Sequence, residues 1–375
     1  MSISYEKAFT KWSEHWFQFI LNHPDMPWKW YYLSENPNIT FDIIQKNIDK
    51  PWSWFNLSKH PNITWEIVKN NPHISWNWSE LSLNPNIKWE NIEKNIDKPW
   101  SWINLSKHPN ITWEIVENNP HISWNWYYLS LNPNITFDII QKNIDIPWSW
   151  DYLSENPNIT WDIIEKYIDK PWSWFNLSKH PNITWEIVEN NPHISWNWSE
   201  LSLNPNITWE IIQQNPDIPW DWYYLSKHPS ITWEVVQQNP HIPWDWDYLS
   251  ENPSITWEVV QQNPHIPWNW CYLSENPNIT FDIIEQNIDK PWDWKVLSKN
   301  TNITWEIIEK YIDKPWNWYL LSCNSMSNDR DKFIRKELHK QFRESDLFKE
   351  MMEKIWHPKN YDKFAGWLGE EKDKF

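Results

Sequence analysis

One interval governs this chain: nearly the same words return every 24 residues. The phrase PNIT or PSIT, once PNIK at 85, places its proline at 37, 61, 85 and every 24 residues on to 277, and Thr301 takes the same place once more. A unit reads PWxWxxLSxNPNITWEIIxxNxDx, and thirteen copies of its opening run from Trp28 to Trp316 without an insertion. A fixed period of this length is the mark of stacked supersecondary units, each of which contacts mainly its neighbours. Residues 51–98, 99–146 and 171–218 are close copies of one another. Identity between units therefore reflects recent duplication in tandem pairs as well as physical need.

Within one unit the local signals predict two short helices. In TWEIIQQN the threonine can cap the helix start, and Asp42, Glu66, Glu90, Glu114, Asp138, Asp162, Glu186, Glu210, Glu234, Glu258, Asp282 and Glu306 put an acid in the first turn. In PWxWxxLS the proline suits a first helical position, and a Trp and a Leu three apart share a face. NPN supplies the turn between them. Strands fit poorly, because the Pro and Asn clusters beside WxW leave too few residues for an alternation. Helices this short are marginal alone in water. Thirty-nine tryptophans answer that weakness: an indole buries the most area per residue where few core positions exist, and stacking covers both its sides. Each buried indole N–H needs an acceptor, for which the Asn, Ser and Asp side chains of the turns are candidates.

The expected fold is therefore all-α, an α-solenoid of two-helix repeats. It divides into an N-terminal capping helix (1–26), the repeats (27–322) and a C-terminal helical cap and tail (323–375). Apolar residues at Ile334, Leu338, Phe342, Phe348, Met352 and Trp356 are spaced for a helix that Pro358 should stop. With roughly 8–10 Å per helix layer the array would extend about 100 Å. One unit breaks the pattern: Lys88 stands where the other copies have Thr, and Asn91 replaces an Ile or Val. Without a capping oxygen this unit is expected to be the soft joint.

The phrase LSENPNITFDIIQKNIDKPWSW, residues 33–54, resembles the leucine-rich repeat variant in its period, its NPN turn, the Thr that follows and the D-x-P before the next helix. That resemblance implies a short α-helix alternating with a short α- or 3₁₀-helix in a right-handed superhelix. It departs at the core, where that family has small and aliphatic residues and this chain has Trp. The wording NPNITWDIIEK is similar to repeat proteins of giant DNA viruses of the mimivirus kind, and EKIWHPKNYDKFAGWL, residues 353–368, to C-terminal segments of such proteins. A viral protein of this kind would sit in the host cytoplasm or the virion. Neither resemblance implies an activity.

Composition narrows the function further. The formal charge of −17 lies almost wholly in residues 1–322, which argues against nucleic-acid phosphates and anionic membranes as partners. No stretch approaches 18 apolar residues, and the N-terminus reads as an amphipathic helix, not a secretion signal. Triplets such as Asn38-Ile39-Thr40 match glycosylation acceptors but read as by-products of the repeat. Cys271 and Cys323 lie 52 residues apart in no metal-type spacing, which suits a reducing compartment. Gly366 and Gly369 are the sole glycines, so neither a P-loop nor a dinucleotide fold is available.

Candidate chemistry is sparse. His73, His121, His193, His241 and His265 share one repeat position and His60, His108, His180 and His228 another, both read as turn and surface positions. The row of acids gives each carboxylate nearly the same surroundings, whereas acid–base pairs need surroundings that differ. Cys271 stands at a variable position, which makes it a poor candidate nucleophile. No catalytic residue, cofactor or metal is expected. The informative positions are those that vary in a fixed frame. Tyr31, Tyr32, Phe55, Tyr127, Tyr128, Phe175, Tyr223, Tyr224 and Tyr319 form the candidate interaction face of a non-enzymatic, monomeric scaffold for a protein partner. The alternative is a carbohydrate-binding or enzymatic protein that uses exposed Trp platforms.

Overall fold

The computed structural model describes residues 4–355 and contains helices and turns but no strand among them. After α1 (Tyr5–Asn22) come α2 (Trp30–Leu33) and α3 (Phe41–Lys46), and these two kinds alternate as far as α25 (Trp305–Lys310) and α26 (Trp318–Cys323). The chain is thus an all-α solenoid-like repeat, with about 12 residues per helix and a Trp or Phe opening each short helix. Threonine is the N-cap of the odd-numbered helices from α3 to α25, as expected, with Lys88 the exception. The even-numbered helices start later than the proline suggested. Their N-cap is the residue between the two tryptophans: Ser53 Oγ accepts from Asn56 N, Asn77 Oδ1 from Glu80 N, and Asp221 Oδ1 from Tyr223 N and Tyr224 N. Except at Lys29 of α2, a carboxylate, amide or hydroxyl there satisfies amides that the short helix leaves open.

Between the two rows of helices lies one continuous core. The invariant Leu of each unit, such as Leu57 and Leu177, is fully buried, as are Ile63 and Ile183 from the turns. The first tryptophan of each PWxW is buried, while the second and the one in TWEI are mostly half-buried. The first indole of each unit donates its N–H to the backbone carbonyl five residues earlier, as Trp52 does to Asn47 O at 2.8 Å. The turn residues therefore do accept these N–H groups, but through their main chain instead of the side chains expected. That carbonyl is available because it sits at the end of a helix.

Two hydrogen-bond ladders join successive units. Ser58 Oγ donates to Trp54 O and accepts from Asn77 N, the cap amide 19 residues on, at 2.9 Å. Asn84 Nδ2 donates to Ser58 O and His60 O of the preceding unit, at 2.9 and 3.1 Å, while its Oδ1 accepts from Asn86 N. The second tryptophan of one unit meets the first of the next edge to face, as in Trp150 and Trp172 with centroids 4.9 Å apart at 86°.

All three links recur between the last unit and the first. Ser322 Oγ accepts from Lys29 N at 3.1 Å, Asn36 Nδ2 donates to Ser322 O and Asn324 O at 3.0 Å each, and Trp318 meets Trp28 at 4.9 Å and 86°. The array therefore does not extend for about 100 Å as an open superhelix. It closes into a ring of thirteen units. The rotation per unit was invisible in the sequence, and it brings the ends together because a head-to-tail interface closes when its rotation divides a full turn.

Both terminal segments bear on the seam. Residues 17–22, grouped in the sequence with the capping segment, align with 41–46 one period on and occupy the place of a first odd-type helix. Phe17 stacks on Trp52 at 5.8 Å, and Trp28 Nε1 donates to His23 O just as Trp52 Nε1 does to Asn47 O. Phe19 stacks flat on Trp305 across the seam, centroids 4.0 Å apart at 3°. The N-terminal half of α1 projects past the NPN rim, where Trp12 Nε1 reaches Asn38 Oδ1 at 2.9 Å. α27 (Ser327–Arg343) runs antiparallel beside it: Phe333 packs on Trp12, Glu337 pairs with Lys11 at 2.6 Å, and Gln341 Oε1 accepts from Ser4 N at 2.8 Å. The single C-terminal helix expected is broken at Glu344–Ser345, where Ser345 Oγ accepts from Phe348 N and starts α28 (Asp346–Ile355). Trp356, Pro358 and nearly all of the 353–368 segment lie outside the described residues.

Candidate interaction surface

Successive even-numbered helices run with Cα atoms within 8 Å of each other, as α8 (Trp102–Lys107), α10 (Trp126–Leu131) and α12 (Trp150–Leu153) do, whereas the odd-numbered helices are spread wider. In a closed ring the closer row is the inner one. With helices about 8–10 Å apart, thirteen inner axes trace a circle about 33–41 Å across, and subtracting a helix about 10–12 Å thick leaves an opening of about 21–31 Å.

Each inner helix turns its Leu to the core, so the residue two places before it, about 200° round the helix, points into the opening. Those are the variable positions. Tyr31, Phe55, Tyr127, Phe175, Tyr223 and Tyr319 are exposed there, Tyr127 by 61%. Tyr32, Tyr128 and Tyr224, one place on, are half-buried. The ring brings together residues far apart in sequence: Tyr32 meets Tyr319 across the seam at 4.1 Å, and the hydroxyls of Tyr223 and Tyr248 are in contact.

A second tier went unnoticed in the sequence. The residue after each LS serine lies four places beyond the variable one and thus on the same face, a spacing that a helical reading of the unit could have exposed. It is a lysine or a glutamate in nine units, leucine in three and Cys323 in one. Lys59 pairs with Glu35 at 2.9 Å and lies near Glu80, Lys179 pairs with Glu200 at 3.6 Å, and Lys299 with Glu275. Lys107 sits over the Tyr128 ring at 3.8 Å and Lys179 over Phe175 at 4.9 Å. The opening is therefore aromatic with mixed charge, while the acids of the odd-numbered helices, such as Asp42 and Glu66, are exposed on the outside. Thr208 and backbone amides at the helix start hold the Glu210 carboxyl below its usual range, which fits a first-turn acid.

The two histidine rows separate. His73, His121, His193, His241 and His265 are exposed at the turns. His60, His108, His180 and His228 are buried, contrary to expectation, because the imidazole replaces the first Asn of NPN. His60 Nε2 donates to Asn36 O at 2.9 Å while Nδ1 accepts from Asn62 N at 3.0 Å, which requires the neutral Nε2–H tautomer. Burial pushes the four pKa values down. Cys271 lies in the opening, where burial and Asp293 push its thiol up, away from the reactive thiolate. Among the described residues no group of three or more His, Cys, Asp or Glu is placed to hold a metal ion, and no helix is long and apolar enough to cross a membrane.

No protein-family model matches this chain, and no curated protein or solved structure matches it.

Proposed function

We propose that the chain is a non-enzymatic ring scaffold that binds a protein partner in its opening. One observation carries this reading: the frame residues are buried, and the residues that vary between units converge on the inner surface as tyrosines, a phenylalanine pair and opposed charges. Tyrosine combines a large, rigid contact area with a polar tip and loses little conformational entropy on binding, which suits protein recognition. An opening of about 21–31 Å admits a helix about 10–12 Å thick. The test is parallel affinity capture from host cells with the native ring and with a Tyr31→Ser/Tyr127→Ser/Tyr223→Ser variant. A partner retained by the first and lost by the second is expected, and equal recovery on both would sink the proposal.

Carbohydrate binding on tryptophan platforms has less support, since no described tryptophan is exposed and the inner ones are held edge to face. Iodide should accordingly quench the indole fluorescence weakly. A place among the Trp-rich repeat proteins of giant DNA viruses, related to the leucine-rich repeat variant and lodged in host cytoplasm or virion, rests on the repeat wording alone.

A further inference from the structure

The turns that lead from each outer helix to the next inner one all lie on one rim of the ring, opposite the NPN rim. Position 24 and every 24th residue on to 312 hold isoleucine or proline, six of the first and seven of the second, without a polar exception. Each is followed by an aspartate or a histidine, eight and five respectively, and all thirteen of these are exposed. Proline at a turn tip has a local reason in its fixed φ. Isoleucine has none, and Ile48, Ile96, Ile144, Ile168 and Ile288 stand 58, 47, 38, 46 and 40% exposed, whereas Ile312 alone of the six packs partly against the core. The inner positions of the same units have diverged to Tyr, Phe, Ser, Asp, Ile, Cys and Lys, so shared ancestry alone does not hold this rim apolar.

We infer that this rim is the interface between two copies of the ring, stacked face to face about a two-fold axis in the ring plane. Three observations select a second copy. Thirteen apolar tips with their thirteen neighbours make 26 residues a side, within the roughly 20–30 of a standard protein interface. The other rim is occupied at the seam by α1 and α27, which project from it, so among the described residues this rim alone offers a flush annulus, and pairing through it stops at two. The polar neighbours also pair: an axis through the Ile48 turn sets all five histidines opposite aspartates as hydrogen-bonding partners, His73 facing Asp25 and His193 facing Asp217, for example, and leaves Asp97 facing Asp313 and Asp49 facing its own copy. This inference does not depend on what the opening binds.

The test is the mass of the full chain by light scattering at micromolar concentration, with Ile48→Asp/Ile96→Asp/Ile168→Asp/Ile288→Asp beside it. The native chain should weigh twice its 46.4 kDa and the variant once, with the same helical circular dichroism. A native chain of single mass, a series that grows with concentration, or a folded variant that stays double overturns the proposal. A gentler pair of variants tests the same contact should the quadruple change unfold the ring. On a Cys271→Ser/Cys323→Ser background, Ile48→Cys should cross-link to its own copy under mild oxidation and Ile168→Cys, which faces a different turn, should not. Equal cross-linking overturns the two-fold register.

Discussion

At the scale of single residues, histidine here is an asparagine in another form. Both offer a donor and an acceptor at the same spacing, and the ladder accepts either: Asn84 to His60 O matches His60 to Asn36 O, and both accept from the amide two residues on, although the imidazole has no second N–H to match the bond of Asn84 to Ser58 O. The imidazole differs in that it can take up a proton, which burial opposes. Unfolded histidine titrates near about 6.5, and the folded values of His60, His108, His180 and His228 lie lower. Between the two, unfolding takes up protons, so stability is full above about pH 6.5 and declines as pH falls below it. Replacing all four by Asn should leave the urea midpoint at pH 7.5 nearly unchanged and make its fall toward pH 5 shallower; an identical fall would show that carboxylates alone cause it. The LS serine is a second such residue. Ser178→Ala strands the Asn197 amide, which now donates to Ser178 Oγ at 2.9 Å, and should cost about 1–3 kcal/mol in denaturant titrations. The sequence displayed the invariance of this serine without its purpose, because a bond to an amide 19 residues away belongs to the next unit.

At the scale of elements, the Lys88 helix, α7 (Trp89–Glu93), is less defective than its sequence suggests. Lysine provides no capping oxygen, yet Asn91 Oδ1 accepts from Lys88 N at 3.0 Å, the reverse half of a capping box. Five of the other eleven copies also lack the threonine bond, and the six that have it are long, as in Thr64 at 3.4 Å. The expected penalty shrinks to match. Lys88→Thr should raise stability by about 0.5 kcal/mol at most, and adding Asn91→Ile should return little of the 1–3 kcal/mol a buried side chain would give, since Asn91 is half-buried and would surrender its bond. Hydrogen exchange over residues 86–96 checks this: strong slowing in the double variant would restore the soft joint. Helix type and capping by Thr were legible because they depend on adjacent residues. The later start of the inner helices was missed because proline before Trp also fits an extended approach to the cap.

At the scale of the whole molecule, period and helical class were legible and closure was not, since curvature accumulates from small offsets at thirteen interfaces that no motif records. Closure changes how the chain should respond to shortening. An open array loses units gradually, whereas a ring cut from thirteen to eleven must turn about 33° per unit instead of about 28° or open at the seam. Deleting residues 171–218 should therefore lower the thermal midpoint by more than the 2–4 °C that accompanies about 1 kcal/mol in a large domain. Small-angle scattering of the full chain should show a hollow particle; the profile of a rod would refute the ring.

Closure also leaves a mark on ancestry. Blocks such as 51–98 and 99–146 indicate growth two units at a time, and every such step in a closed lineage had to be tolerated by all the interfaces at once. Doubling alone never yields thirteen. In an open array the copy number is free to change, but here it is tied to closure, which the last serine completes on the amide of Lys29.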